Sequence, residues 1–176
     1  MTKIILSGAN GKMGKVISAI AQGSEKYEIC AGVDINTTPA QNFTVYDNPY
    51  DYKGEADCII DFSNPGALYT ILDYAIAKNL PIVLCTTGLS QEQKARLFEA
   101  SEKIPVFFSA NMSIGINLIS ELAKKATKML EGDYDIEILE AHHRRKLDAP
   151  SGTALMLADA VNQAAREKKD YIYDRH

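Results

Sequence analysis

The stretch KIILSGANGKMG, residues 3–14, decides the fold of this chain. Its first five residues predict a short buried strand, and Gly8, Gly11 and Gly14 follow at the point where a helix begins. Glycines between a first strand and a helix allow a tight turn and a close approach of backbone N–H groups to a pyrophosphate. The spacing is GxxGxxG, with Asn10 where the common GxGxxG pattern has its middle glycine. The strand before the loop and the helix after it therefore favour a dinucleotide-binding loop. The alternative is that these glycines only allow the chain to turn.

Strand and helix signals alternate beyond this loop. The first helix is predicted to bury an apolar face of Val16, Ile17, Ile20 and Ala21. Further strands are predicted over Tyr27–Asp34, Asp57–Phe62, Ile82–Cys85 and Pro105–Ser109. Asn64 before Pro65 marks one helix start, and the capping-box spacing of Ser90 and Gln93 marks another. This alternation predicts an α/β fold, a Rossmann-type doubly wound parallel sheet.

A second, smaller domain is expected in the last third of the chain. A long helix is predicted after Ser113, a strand over Tyr134–Ala141 and a helix over Thr153–Ala165, with a cationic loop between the last two. The long helix carries an apolar series of Ile116, Ile119, Leu122 and Ala123. We therefore expect a dinucleotide-binding domain over residues 1–110 and an incomplete α+β substrate domain over residues 111–176.

Composition narrows the functional classes. The formal charge of −4 and the short basic run at residues 144–146 do not favour nucleic-acid binding. The apolar runs are far shorter than the roughly 20 residues that span a bilayer, so no membrane segment is expected. Three separated cysteines without a CxxC pair, and no secretory leader at the start, lead us to expect a cytoplasmic protein.

Asp34 ends the second predicted strand, about 20 residues after Gly14, where a ribose-binding acid belongs in a dinucleotide fold. Its carboxylate would accept hydrogen bonds from ribose hydroxyls and repel a 2′-phosphate, so NADH should be preferred. Lys12 at the helix start is a cation that would make NADPH possible as well. The alternative is that Asp34 is only a turn residue at the end of a strand.

Residues 140–154, EAHHRRKLDAPSGTA, place two histidines, three cations and a helix start in one segment. Such a cluster suits an anionic ligand, because helix N-terminal N–H groups bind carboxylates and His and Lys side chains carry protons. Adjacent His142 and His143 would point to opposite faces of a strand, so one of them can be a packed or surface imidazole. Arg144 and Arg145 are interpreted as solvated charges, and no metal site is expected. The cap of the following helix is either Asp148 or Ser151.

With these elements in place, the chain resembles the 4-hydroxy-tetrahydrodipicolinate reductase family, also called dihydrodipicolinate reductase. The motifs that carry the resemblance are GANGKMG at 8–14, DFS at 61–63, TTG at 86–88, SANMS at 109–113 and the segment 142–154. The resemblance implies an NAD(P)H-dependent oxidoreductase of the diaminopimelate route to lysine, which reduces a small dicarboxylate. It also implies a homo-oligomer, a tetramer in the full-length family form.

The resemblance assigns roles residue by residue. It implies that the pyrophosphate is bound by Gly8, Ala9, Asn10, Gly11, Lys12 and Met13, the ribose by Asp34, and the nicotinamide side by Cys85, Thr86, Thr87, Ser109, Ala110, Asn111 and Met112. It implies that His142 and Lys146 donate protons, that His143 contacts the substrate, and that Gly152 and Thr153 bind its carboxylate. A positioned acid suits this chemistry, because hydride delivered to a conjugated ring must be matched by a proton.

Two departures from the family pattern stand out. Cys85 occupies a position that is often glycine or another small residue in the family, and the family's substrate domain continues with further strands beyond residue 176. One alternative is therefore a truncated dinucleotide-binding module that does not turn over, which turnover with the dicarboxylate would exclude. Another is an unrelated Rossmann dehydrogenase, which would require the match over 142–154 to be accidental.

Overall fold

The computed structural model describes residues 1–38, 42–109, 111–144, 146 and 149–173. The chain divides into two compact units, Met1–Ser109 and Ala110–His176. The elements of the first unit are β1 (Thr2–Ser7), α1 (Lys12–Gln22), β2 (Tyr27–Val33), β3 (Val45–Tyr46), β4 (Cys58–Asp61), α2 (Leu68–Lys78), β5 (Ile82–Leu84), α3 (Gln91–Ser101) and β6 (Val106–Phe108). Those of the second are α4 (Ile114–Leu130) and α5 (Gly152–Ala164).

The first unit is built on one parallel sheet of six strands in the order β3-β2-β1-β4-β5-β6. The chain runs outward from β1 to β3, returns to the other side of β1, and runs outward again from β4 to β6. Right-handed crossovers then place α1 on one face and α2 with α3 on the other, and α2 packs against α3. The predicted doubly wound sheet is confirmed. Ligands of such sheets bind at the carboxyl ends of the strands where the order reverses, here between β1 and β4.

The hydrophobic core lies between this sheet and α2. The helix buries an apolar face at i, i+3, i+4 and i+7 spacing, formed by Leu68, Ile71, Leu72 and Ala75. It packs on strand residues that are almost fully buried, namely Ile5, Ile59, Ile82 and Leu84. The close packing of this core makes the strand ends a rigid support for the loops that follow them.

The predicted apolar face of α1 is confirmed only in part, because Ala21 is buried and Ile17 packs against a buried cluster, whereas Val16 and Ile20 do not. Val16 and Ile20 are 51% and 58% exposed, whereas the buried residues of the helix are Gly14, Ser18 and Ala21. These three lie at i, i+4 and i+7 on one side of the helix. The face formed by these small residues is buried because the start of α1 lies so close to the end of β1 that only a glycine fits at position 14.

Local sequence signals set the helix starts in the first unit. Asn64 caps a single 3₁₀ turn at Pro65–Ala67, its Oδ1 accepting from the N–H of Gly66 at 2.9 Å, and α2 continues directly from this turn. The Ser90 hydroxyl accepts from the N–H of Gln93 and the Gln93 side chain accepts from the N–H of Ser90, so the predicted capping box is present. The sequence did not predict β3, because two residues are too few to show a periodicity.

In the second unit α4 and α5 pack against each other, and the predicted strand over Tyr134–Ala141 is absent. A strand exists through hydrogen bonds to a neighbour, and no described segment supplies one here. Ile119 and Leu122 of the predicted apolar face of α4 remain half exposed. None of the helices in the described part of the chain combines the length and the apolar character that crossing a bilayer requires.

Candidate active site

The loop from Gly8 to Gly14, called the glycine loop below, joins β1 to α1. Gly8 has a φ of +76°, and a Cβ at this position would lie 2.5 Å from the carbonyl oxygen of Phe62, at the end of the adjacent β4. A Cβ at Gly14 would overlap the carbonyl oxygens of Gly8 and Ala9. Gly11 begins α1 without a capping side chain. The backbone N–H groups of the first turn are thus presented at the strand-order reversal, a geometry that binds phosphate oxygens.

Asp34 lies directly after β2 and is fixed against the glycine loop. Its Oδ2 accepts a hydrogen bond from the backbone N–H of Asn10 at 2.9 Å, and its Oδ1 accepts from the N–H of Asn36 at 3.0 Å. The contact with Asn36 is the turn contact of a strand-end acid, and the contact with Asn10 adds a link to the loop. Since each carboxylate oxygen has two lone pairs, each still has one for a further donor.

Asn10 replaces the middle glycine of the common pattern and binds the segment after β2. Its Nδ2 donates to the carbonyl oxygens of Asn36 and Thr38, and its Oδ1 is buried without a hydrogen bond from any described residue. The side chains of Lys12 and Met13 lie exposed on the first turn of α1. The structure therefore brings all six predicted loop residues together with Asp34.

The three residues after β5 differ in their exposure. Cys85 and Thr86 are buried, whereas Thr87 is exposed. Burial, reinforced by the nearby Asp61 carboxylate, raises the pKa of the Cys85 thiol to about 11. The thiol therefore stays protonated at neutral pH and is no nucleophile. Ser109 lies beside this segment, since its N–H donates to the carbonyl oxygen of Leu84. Ala110 lies outside the described residues.

Asp61 is a buried carboxylate to which the sequence analysis assigned no role of its own. It ends β4, is 1% exposed, and accepts hydrogen bonds from the hydroxyls of Ser63 and Thr86. A signal was present in the sequence, because an acid that follows the apolar run Cys58–Ile60 stands at the carboxyl end of a central strand. Its partner Thr86 lies 25 positions further on, which no local pattern reveals.

In the second unit, Glu140 joins His142 to the start of α5. Its Oε1 accepts from the N–H of Ser151 at 2.8 Å, and its Oε2 lies 3.5 Å from Nδ1 of His142. Hydrogen bonds from Ser151, with His142 and Lys146 nearby, hold the pKa of Glu140 below its ordinary value. Glu140 is therefore a carboxylate at neutral pH and favours the His142 tautomer with a proton on Nδ1. This role of Glu140 was also missed.

The start of α5 carries two predicted substrate contacts, Gly152 and Thr153. Ser151 is the cap, its hydroxyl accepting from the N–H of Ala154 at 3.1 Å, while the alternative Asp148 lies outside the described residues. The Thr153 hydroxyl accepts from Nδ2 of Asn111 at 2.9 Å. Asn111 is thus placed beside the predicted carboxylate-binding residues.

The cationic segment itself turns back at His143, whose carbonyl oxygen accepts from the N–H of Lys146 at 3.0 Å. Lys146 contributes to the field that lowers the pKa of Glu140. His143 and Arg144 are exposed, as is Met112 before α4, and Arg145 lies outside the described residues.

A cavity of about 350 Å³ in the second unit is lined by residues other than the predicted site residues. Its walls are formed by Ala123, Ala126, Thr127, Leu130, Glu131, Tyr134, Asp135, Ile136, Glu137, Val161 and Lys169. No metal site is found among the described residues. Their His, Cys, Asp and Glu side chains form no group of three or more that could hold a metal ion.

Known proteins match the chain over its whole length. The family model described as the N-terminus of dihydrodipicolinate reductase matches residues 2–112, and that of its C-terminus matches residues 115–174. The 4-hydroxy-tetrahydrodipicolinate reductase of Caldanaerobacter subterraneus subsp. tengcongensis is 50% identical over 176 residues, all of this chain and 69% of the relative. That of Clostridium tetani is 47% identical over 175 residues, which are 99% of this chain and 69% of the relative.

A solved structure agrees with these relatives. Dipicolinate-bound dihydrodipicolinate reductase from Paenisporosarcina sp. TG-14 superposes with a TM-score of 0.76 at 26% identity, over 100% of this chain and 71% of that one. Both family models and relatives near 50% identity thus accompany the glycine loop and the parallel sheet described above. The chain belongs to the dihydrodipicolinate reductase family, the 4-hydroxy-tetrahydrodipicolinate reductases.

Proposed function

We propose that this chain binds a reduced nicotinamide dinucleotide on its first unit and reduces 4-hydroxy-tetrahydrodipicolinate to tetrahydrodipicolinate with loss of water. This is the reaction named by its relatives and belongs to the diaminopimelate route to lysine. One observation carries the proposal: at the strand-order reversal the glycine loop leaves no room for a side chain at Gly8 or Gly14, and Asp34 is fixed against it. A loop so closed to side chains suits a backbone that must approach a pyrophosphate.

The residues of the first unit fit a dinucleotide. Bound there, the dinucleotide supplies the hydride for the reduction. The first-turn N–H groups of α1 would hold its pyrophosphate, while Thr86 and Thr87 would border its nicotinamide end. The Thr87 side chain is exposed there, and the thiol of Cys85, protonated at neutral pH, would not compete as a nucleophile.

We propose NADH as the preferred cofactor, with NADPH as a weaker ligand. Asp34 is held by two backbone N–H groups, so its carboxylate cannot swing away from a 2′-phosphate without losing both hydrogen bonds. Like charges in a partly desolvated site repel, which disfavours NADPH. Lys12 is the residue through which a 2′-phosphate would bind. Calorimetric titration with NADH and with NADPH measures which of the two dinucleotides binds more tightly. Tighter binding of NADPH would contradict the role proposed for Asp34.

His142 is the proposed proton donor, together with Lys146. Because Glu140 faces Nδ1, the other ring nitrogen, Nε2, is the atom left to face a ligand, and it would transfer its proton when the ring carries protons on both nitrogens. Each hydride that reaches the substrate requires one such proton, so the segment supports the proposed reduction.

The substrate dicarboxylate is proposed to bind at the start of α5. Gly152 and Thr153 present first-turn N–H groups there, and His143 earlier in the same segment is exposed. The Paenisporosarcina relative was solved with dipicolinate, itself a dicarboxylate, which supports this substrate class. Asn111 would orient the Thr153 side chain through its amide.

A steady-state assay of NADH oxidation with the dicarboxylate tests the function. We expect His142→Ala and Lys146→Ala to lower kcat by roughly 100-fold or more, the scale of general acid catalysis, with NADH affinity unchanged. Arg144→Ala is the matched control, because it removes a cation from the same segment without touching a proposed proton donor. Full activity in both test variants would contradict the assignment. Tight NADH binding without turnover would instead favour a non-catalytic dinucleotide-binding module.

Two further expectations remain proposals. We propose a cytoplasmic location, which is supported by the fact that Cys30, Cys58 and Cys85 are not in disulfides, since a reducing compartment keeps thiols reduced. We also propose a homo-oligomer, which half-exposed apolar side chains on α1 and α4 support.

A further inference from the structure

Asp61 is the most deeply buried acid of the first unit, and the proposed reaction does not use it. Its carboxylate is 1% exposed and accepts one hydrogen bond on each oxygen: Oδ1 from the Ser63 hydroxyl at 2.6 Å and Oδ2 from the Thr86 hydroxyl. The Asp61 carbonyl oxygen also accepts from the N–H of Cys85 at 2.9 Å. One residue thus connects the segment after β4 with the segment after β5.

Burying a carboxylate is costly unless hydrogen bonds replace its hydration. An apolar residue of similar volume at the end of β4 would commonly cost the fold less than a buried charge. The position also lies at the carboxyl edge of the sheet, beside the glycine loop, because Phe62 follows Asp61 and its carbonyl oxygen closes the space over Gly8. A carboxylate kept at such a place points to a role in the site.

The role of Asp61 follows from the burial and the hydrogen bond of Thr86. The Thr86 hydroxyl donates to Asp61, and the whole residue is only 2% exposed, so Thr86 faces the interior. Thr86 therefore supports this segment from within, whereas the neighbouring Thr87 is exposed and can meet a ligand. The hydrogen bond fixes the rotation of the chain between Cys85 and Gly88, and thereby which groups this segment turns toward the carboxyl edge.

We propose that Asp61 is a positioning residue which, through Thr86, holds segment 85–88 in the conformation that receives the nicotinamide end of the dinucleotide. The inference rests on the proposed function and goes beyond it by separating two parts of the site. The glycine loop and Asp34 bind the adenosine and pyrophosphate part, and the Asp61–Thr86 hydrogen bond governs only the nicotinamide part.

Calorimetric titration with two ligands tests this separation. NADH contains both parts, whereas ADP-ribose keeps the adenosine and pyrophosphate but lacks the nicotinamide. We expect Thr86→Val to weaken NADH binding by about 10-fold, the low end for loss of a hydrogen bond to a charged group, and to change ADP-ribose binding by less than about 2-fold. Thr86→Ser keeps the hydroxyl and restores NADH affinity. Asp61→Asn should behave like Thr86→Val.

Thr127→Val is the matched control, because it removes an equally buried threonine hydroxyl from α4, where the donor's partner is the carbonyl oxygen of Ala123. It should leave the affinity for both ligands unchanged. If Asp61→Asn does not fold, the Thr86 pair alone decides. Equal losses for NADH and ADP-ribose in Thr86→Val, or no loss for either, overturn the inference while the proposed function stands. A wild-type chain that binds neither ligand overturns the proposed function, and this inference with it.

Discussion

Replacing Gly8 by alanine is expected to destabilise the first unit through two separable costs. The first is conformational, because Gly8 has a φ of +76°, where a residue with a Cβ is strained by roughly 1–2 kcal/mol. The second is steric, because the new Cβ would lie 2.5 Å from the carbonyl oxygen of Phe62. Phe62 cannot retreat freely, since its N–H donates to the carbonyl oxygen of Ser7 at 3.0 Å and so joins β4 to β1.

Gly88 separates the two costs, because it has almost the same φ, +75°, but open space around it. A Cβ there would meet only Cγ of Pro65, at 4.0 Å. Gly88→Ala should therefore lower the free energy of unfolding by about 1–2 kcal/mol from strain alone. Gly8→Ala adds an overpacking term of about 1–3 kcal/mol, for a total of about 2–5 kcal/mol.

Urea unfolding followed by far-ultraviolet circular dichroism measures both variants against the wild-type chain, with the free energies taken by linear extrapolation. Gly8→Ala should also weaken NADH binding, since relief of the overlap moves the glycine loop. Equal losses of unfolding free energy in the two variants would refute the reasoning, because they would show that the contact with Phe62 carries no cost.

Other perturbations test a helix start, a carboxylate and an unpaired segment. Ser90→Ala removes one half of the capping box of α3 and should cost about 0.5–2 kcal/mol of unfolding free energy, whereas an unchanged midpoint in urea would contradict the cap. Hydrogen bonds from Ser151 lower the pKa of Glu140, so this contact stabilises the fold above the ordinary glutamate pKa and stops doing so as the pH falls through the lowered pKa. Glu140→Gln should therefore reduce the loss of unfolding free energy at acid pH. Unfolding measured along an acid titration checks this. Residues 134–141 lack a described partner strand, so we expect either rapid exchange of their amide hydrogens or association of copies seen by light scattering. Strongly protected amides in a monomer would contradict this expectation.

Much of the fold could be predicted because its signals are local. The apolar run before Gly8 and the pairing of Ser90 with Gln93 each lie within a few residues, and the structure confirms a strand and a helix start there. The exposure of Val16 and Ile20 on α1 could not be predicted from hydrophobicity. The orientation of this helix is decided by how closely Gly14 approaches the end of β1, so small size outweighs the apolar character of Val16 and Ile20.

The site shows the same division. The glycine loop and Asp34 were found because a fixed spacing relates them, and the structure places them in contact. Asp61 and Glu140 were missed, because their hydrogen-bond partners lie 25 and 11 positions away and are chosen by the fold. The strand predicted over residues 134–141 failed for a related reason, since its formation depends on a partner and not on its own alternation.

The central place of β1 in the sheet has a consequence for the order of folding. β1 leaves the ribosome well before β4, which is one of its two neighbours in the sheet, and the contact between Lys3 and Asp57 spans 54 positions of the chain. Such distant parallel pairings form slowly, because the chain must close a long loop before any hydrogen bond is gained. Until β4 is synthesised, Gly8 has no Phe62 beside it. During translation, the dinucleotide site therefore comes into existence only after β4 has been made, although its glycines are synthesised well before that strand.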